Sequence, residues 1–343
     1  HRNIKDFWRQ VGRKSKQMPN KSDAIVVGQD SYYSDPGNYI QIGCDYFLKV
    51  QRPDNMGNVI QTLIPWKLSQ IRKDFKSNPA DKGLISRYYG MGAFPSHTDY
   101  KESVSGYYNT YSKLPWIPKA GGWSTIRRML EHIFGEQIEY GLDYIQLLYT
   151  KPTLKLPILL LVSQMRNTGK TTFLRFLREM FCDNFVFASN ESIRSHFNSD
   201  WASKLIVGID ETLLQKKEDS EKLKALSTAN KSFIEYKGRD RYEVDNIIKF
   251  ILCSNNITEP VYIDAEETRY WVREIPALKT DIPNITDDLK DEIPAFIYFL
   301  LHRRLYVPEP LSRMWFDASD LKTPALTRII QSCRPTSELE LAE

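Results

Sequence analysis

The chain has 343 residues, room for about two domains. With 41% hydrophobic and 26% charged residues it has the composition of an ordinary globular protein. Its 16 glycines and 18 prolines are too few for collagen-like or low-complexity sequence. The apolar runs at 156–162 and 296–301 fall far short of the ~20 residues a membrane span requires. Residues 1–21 hold seven Lys or Arg against one Asp and no apolar core, unlike a secretory signal. Cys44, Cys182, Cys253 and Cys333 form no CxxC pair, so a soluble, non-secreted protein of the reducing cytoplasm is expected. The net charge of +4 is too mild to demand a nucleic-acid partner. Because the sequence begins at His1, it is expected to belong to a longer protein.

Residues 1–29 read as a basic arm. Apolar side chains at every even position from Ile40 to Val50 have the period of a strand, and Gly43-Cys44-Asp45 divides it into a hairpin. Pro65 is expected to open a helix with Leu68, Ile71 and Phe75 on one face. The stretch 80–122 reads as loops and short elements, and ten of the 19 tyrosines precede residue 117. Those rings would either pack a small domain or stack on bases. Ser124 is expected to cap a helix ending at Gly135, with a second helix over 138–149. From Leu156 onward short apolar strands alternate with helices, the pattern of a parallel sheet covered on both faces. The last predicted helix, over 287–305, would break or kink at Pro294.

The most informative segment is 156–181: an apolar strand, a loop 163–169, then Lys170-Thr171-Thr172 opening an amphipathic helix. Such a junction suits a triphosphate. Amides at the helix start receive phosphate oxygens, the lysine reaches the terminal phosphates, and the Thr171 hydroxyl serves Mg²⁺. Gln164, Asn167, Thr168, Gly169, Lys170, Thr171 and Thr172 are the candidate ATP-binding residues. Gln164 stands where the motif has glycine, and Asn167 where many such loops have another. The strand KLIVGI ends in Asp210-Glu211. At the C-terminal end of a parallel strand, Asp210 would organise Mg²⁺ and Glu211 would deprotonate the attacking water. A third strand, IKFILC, ends in Ser254-Asn255-Asn256, and Asn255 could contact the terminal phosphate. Arg269 precedes an aromatic strand and could supply a cation to the transferring phosphate. Between the second and third strands a Gly238-centred hairpin carries Lys237, Arg239 and Arg241, candidates for gripping a nucleic-acid backbone.

The order of these pieces, LPILLLVSQMRNTGKTTFL, HFNSDWASKLIVGIDE, SFIEYKGRDRYEVDNIIKFILCSNN and ETRYWVREI, resembles superfamily 3 helicases of the AAA+ class. In particular, it is similar to the helicase part of phage and mobile-element primase–helicases. GGWSTIRRMLEHIFG and YGLDYIQLLYTKP resemble the helical collar of those proteins. The resemblance implies an α/β fold, an AAA+-type P-loop ATPase with a central parallel sheet, preceded by a small α+β and helical N-terminal region. Residues 1–115 have no firm counterpart in that family, and with the composition the chain divides into a basic arm (1–29), a small α+β region (30–120), a collar (121–152), the ATPase core (153–280) and a helical tail (281–343) with room for part of a winged helix. The resemblance also implies ATP and Mg²⁺ as cofactors and a homo-oligomeric ring, usually a hexamer. In that ring Glu211, Asn255 and Arg269 act on ATP at subunit interfaces, with Arg273 as an alternate for Arg269. Lys237 and Arg239 would meet single-stranded DNA in the channel, and an upstream primase domain or other replication proteins would be partners. The compartment implied is the cytoplasm of a bacterium or phage-infected cell. The alternative is a nucleotide-switched oligomeric DNA-binding or assembly module without unwinding activity, which would not require Glu211.

Overall fold

The computed structural model describes residues 33–53, 59–75, 79, 82–235, 241–278, 285–310 and 314–333. They form two compact units divided between Tyr89 and Gly90. In the first unit a four-stranded sheet combines β1 (Tyr39–Ile42), β2 (Asp45–Pro53), β3 (Val59–Trp66) and β4 (Ser86–Tyr88) in the order β3-β2-β1-β4. β1 and β2 form the expected hairpin about Gly43, which has a φ of +58°. Pro65 does not open the helix: it pairs with Phe47 in β3. Proline is tolerated there because β3 is an edge strand. Helix α1 (Leu68–Asp74) follows and buries Ile71 against Tyr39 and Leu48.

The second unit starts with β5 (Met91–Gly92), β6 (Ser103–Val104) and β7 (Tyr107–Asn109), ordered β5-β7-β6. The chain after β7 is tied to the larger sheet layer. Ser112 N donates to Asn184 Oδ1 at 2.8 Å, and Trp116 Nε1 donates to the Met180 carbonyl at 2.9 Å. Of the tyrosines here, Tyr108 and Tyr111 are buried, while Tyr107 is exposed.

Helices α2 (Ser124–Phe134) and α3 (Ile138–Thr150) match the predicted pair, with Gly135 at φ +50° ending α2. Ser124 lies inside the first turn and makes no side-chain cap. The cap comes from Glu292, whose carboxylate accepts from Thr125 N (3.1 Å) and Ile126 N (2.9 Å). A carboxylate is favoured there because the helix N-terminus carries unpaired amides and partial positive charge.

The central layer follows: β8 (Ile158–Val162), α4 (Lys170–Phe181), β9 (Phe185–Phe187), α5 (Asn190–Arg194), β10 (Ile206–Ile209), α6 (Lys217–Thr228), the hairpin β11 (Lys231–Ile234) and β12 (Tyr242–Asp245), then β13 (Lys249–Ser254) and β14 (Tyr270–Glu274). Five strands form one sheet, β14-β8-β13-β10-β9, in which every pairing is parallel. This is the mixed α/β class with a central parallel sheet that the sequence pattern predicts. Every residue of β8 is fully buried, which explains its unbroken apolar run. Leu159 and Leu161 pack toward α2, α3, α4 and α7 (Ile285–His302). Ile158, Leu160 and Val162 pack toward α5, α6 and α8 (Pro324–Ser332). Each such side chain contributes roughly 1.5–3 kcal/mol on burial. Helix α7 is not broken at Pro294 but runs through it. Among the described residues no helix is long and apolar enough to cross a membrane.

Candidate functional site

Because the strands are parallel, their C-terminal ends share one edge of the sheet. β13 lies between β8 and β10, so the segments after these three strands converge. The loop after β8 reaches α4 through Asn167 (φ +55°) and Gly169 (φ +85°). Asparagine accepts this left-handed backbone better than most residues. Gln164 is exposed and is not among the positive-φ residues, so the backbone there does not require the motif's glycine.

Lys170 is the first residue of α4 and is buried. Its ammonium donates to Ser163 Oγ, to Thr168 Oγ1 at 3.1 Å and to Asn255 Oδ1 at 3.0 Å. Thr171 Oγ1 donates to Asp210 Oδ2 at 2.8 Å, and Thr172 is half-buried in the same turn. The structure thus brings Thr168, Gly169, Lys170, Thr171, Asp210 and Asn255 into one cluster. Burial holds the Lys170 ammonium below the ordinary lysine range, against the pull of Cys253 and Asp210. Three uncharged oxygens are its acceptors, so the cation is poised for an anionic ligand.

Glu211 follows at a φ of +56°, a conformation costing a non-glycine residue of order 1–3 kcal/mol. Asn190 at the start of α5 holds the bend. Its Nδ2 donates to the Glu211 carbonyl (3.2 Å) and its Oδ1 accepts from Leu213 N (3.1 Å). The Glu211 side chain stands exposed beside Asp210. Thr212 N donates to the Cys253 carbonyl at 2.6 Å, and Ser254 Oγ to the Thr212 carbonyl at 2.8 Å, so β13 fixes the acidic turn. Among the described residues no group of three or more His, Cys, Asp or Glu could hold a metal ion. Thr171 and Asp210 fit a magnesium site completed by phosphate oxygens and water, the usual mode for that ion.

Arg269 is not brought to this cluster. It precedes Tyr270, which pairs with Ile158 at the opposite, N-terminal edge of the sheet. Its guanidinium meets Glu267 at 3.2 Å. Arg273 is buried: it pairs with Glu136 at 2.6 Å and donates to Gln137 Oε1 at 2.9 Å, so it is no alternate for a surface arginine.

β11 and β12 confirm the antiparallel hairpin, Lys231 opposite Asp245 through Ile234 opposite Tyr242. Lys237 and Arg239 lie outside the described residues. Arg241 is exposed, lies 4.8 Å from the centre of the exposed Phe233 ring and 4.0 Å from Glu235. Phe233 escaped the sequence reading, although an aromatic beside basic residues on a hairpin is a stacking signal. Ser163 and Asn190 were missed as well. The position of Ser163 just after the strand was its only sequence signal.

A family model described as a family of unknown function (DUF5906) matches residues 161–270. No curated protein matches the sequence. Among solved structures, the fold is similar to that of the NrS-1 C-terminal region, residues 305–718. One such structure has a TM-score of 0.66 at 16% identity, covering 87% of this chain and 72% of that one. A second, the A form, has a TM-score of 0.65 at 15% identity, covering 88% and 74%. A structure of JCV helicase gives a TM-score of 0.35 at 14% identity over 64% and 61% of the two chains, too slight a likeness to argue from.

Proposed function

We propose that this chain is the motor part of a DNA helicase, an Mg²⁺-dependent ATPase that translocates on single-stranded DNA as a homo-oligomeric ring. The observation that carries the reading is the meeting of three strand ends at Lys170, through its bond to Asn255 and the neighbouring Thr171–Asp210 bond. In this reading the amides opening α4, freed from Gly169 onward, receive the phosphates. Lys170 exchanges its neutral acceptors for phosphate oxygens. Thr171 and Asp210 hold Mg²⁺, which supplies charge neutralisation for the developing phosphate charge. Glu211 accepts a proton from the attacking water as that water's oxygen bonds to the γ-phosphorus. The bond from the γ-phosphorus to the bridging oxygen then breaks, giving ADP and phosphate. Asn255 links Lys170 to the terminal phosphate.

The placement of Arg269 supports a ring. Within one chain it lies at the opposite edge of the sheet from Lys170, so a phosphate contact by Arg269 requires the site of a second copy. The ordered motifs and the hairpin support the DNA partner, with Arg241 and Phe233 extending the contact proposed for Lys237 and Arg239. A hexamer and an upstream primase domain follow from the family resemblance. The test is forked-DNA strand separation with ATP, alongside particle mass with nucleotide bound. The wild-type chain is expected to assemble and separate strands, and Glu211→Gln to bind ATP without separating them. A wild type that hydrolyses no ATP with DNA present would refute the motor. ATP hydrolysis by a strictly monomeric chain would refute the ring.

A further inference from the structure

The last turn of α2 abuts the phosphate loop through a residue that no motif singles out. His132 is half-buried, and its Nε2 lies 3.1 Å from the Thr168 carbonyl oxygen. A carbonyl can only accept, so the imidazole donates, which places the proton of a neutral ring on Nε2. The ring also lies against Gly169: a Cβ built there would meet His132 Cδ2 at 3.9 Å.

The end of α2 is held firmly enough for this bond to act as a brace. Phe134 is fully buried, stacked on Trp271 of β14 with centroids 5.1 Å apart and set edge-on to Phe173 of α4 at 5.7 Å. The turn that follows is fastened to β14. Gln137 Oε1 accepts from Trp271 Nε1 at 2.8 Å and from Arg273 Nη1 at 2.9 Å, and Glu136 pairs with Arg273.

The Thr168 carbonyl and the Gly169 N–H belong to one planar trans peptide, so they point in opposite directions. Fixing the carbonyl on His132 fixes the Gly169 N–H on the far side of the peptide from the ring. Gly169 at φ +85° has few intrinsic restraints on this orientation. We infer that His132 is a positioning residue for nucleotide binding, holding the 168–169 peptide with its N–H turned into the phosphate cradle. The inference rests on the proposed ATP site. The plainer role for a histidine in a last helical turn is to favour the helix dipole, and that role would act on stability alone.

The experiment titrates a fluorescent ATP analogue with Mg²⁺ into wild type, His132→Phe and His132→Gln, with Lys170→Met as the non-binding control and thermal melting of each. His132→Phe keeps a ring but has no donor; His132→Gln keeps an N–H at similar reach. Expected are an approximately tenfold weaker affinity for His132→Phe, about 1.4 kcal/mol, and recovery to within about threefold of wild type for His132→Gln. Wild-type affinity in His132→Phe overturns the inference. Equal losses in both variants at unchanged melting points also overturn it, because the donor would then be immaterial. If His132→Phe proves unstable, His132→Ala takes its place: a tenfold loss that His132→Gln does not share supports the brace, and wild-type affinity refutes it. A wild type that binds no nucleotide overturns the ATP site along with the brace, whereas unaffected variants of a binding wild type overturn the brace alone.

Discussion

Replacing Lys170 with methionine separates the demands of the site from those of the fold. The ammonium is buried, and burial holds it below the ordinary lysine value. A lowered value means that the folded chain binds this proton less tightly than the unfolded chain. At neutral pH the charged lysine therefore works against stability, and the penalty fades only as the pH rises through the folded-state value toward the ordinary one. Removing the ammonium relieves that penalty. Against it, Ser163 Oγ, Thr168 Oγ1 and Asn255 Oδ1 each lose a donor. The two hydroxyls can rotate to new partners, which leaves Asn255 Oδ1 as the main loss, about 1 kcal/mol. The two effects oppose each other, so the melting point of Lys170→Met should stay within about 3 °C of wild type. Catalysis should suffer far more. Losing one charged donor from a developing phosphate charge costs about 2.7–4 kcal/mol, or roughly 10²–10³ in kcat, by the measure of a lost oxyanion donor. The assay pairs steady-state ATP turnover with a thermal melt. A steep fall in melting point with a proportionate loss of turnover would show that Lys170 serves the fold. Unchanged turnover would remove it from the site.

Asp143, fully buried on α3, accepts from Arg303 Nη1, from Tyr306 N at 3.0 Å and from Val307 N at 2.7 Å, so Asp143→Ala should cost about 3–5 kcal/mol. Urea unfolding checks this, and a loss below 1 kcal/mol would contradict it. His97, bonded to the Tyr149 carbonyl at 2.7 Å and to the Tyr111 hydroxyl, is pushed down to about 4 by burial, against the Tyr149 bond that raises it. The unfolded chain then binds the extra proton below pH ~6.5, so stability should fall from pH 6.5 toward 4, by up to about 3 kcal/mol. His97→Gln should flatten that slope in unfolding titrations; an unaltered slope would exclude His97 as its source. Arg269→Ala mixed with Glu211→Gln should recover turnover that neither variant shows alone, since hybrid interfaces contain an intact site. Activity no greater than the sum of the two variants would place Arg269 outside any shared site.

What the sequence could disclose was whatever depends on neighbours along the chain. The parallel sheet was legible because strands buried on both faces carry unbroken apolar runs, as 158–162 and 250–253 do. The loop lysine, the acidic pair and Asn255 were legible because parallel strands deliver their C-terminal ends to one edge. Contacts between distant segments were not legible. Glu292 caps α2 from 166 residues away, and Arg273 is buried by Glu136 from 137 residues away. A sequence cannot distinguish such an arginine from an exposed one. Pro65 misled because its conformational fit to a helix start is also met on an edge strand, where no ladder hydrogen bond is asked of it. His132 offered no pattern, since its role depends on where α2 ends relative to the phosphate loop.

The two edges of the central sheet treat their polar groups differently, and the contrast argues for where function lies. At the N-terminal edge most groups are satisfied. Lys155 and Asn246 hold the Leu226, Ala229 and Asn246 carbonyls around the end of α6. Burial works against the Lys224 ammonium, yet Asp264, Glu221 and Glu267 together hold it above the ordinary value. Lys249 is the exception, pushed well down by burial, but its acceptors are the Pro152 and Ile247 carbonyls, just before β8 and β13, so it ties two strand entries together. The C-terminal edge combines features that folding alone would not select: a buried ammonium held only by side-chain oxygens of Ser163, Thr168 and Asn255, and positive φ at Asn167 and Glu211. Strain and unmet charge of this kind persist where a ligand or a reaction completes them. Their coincidence at the turns holding Lys170, Thr171, Asp210 and Asn255 is a physical reason, independent of any motif, to place the chemistry there.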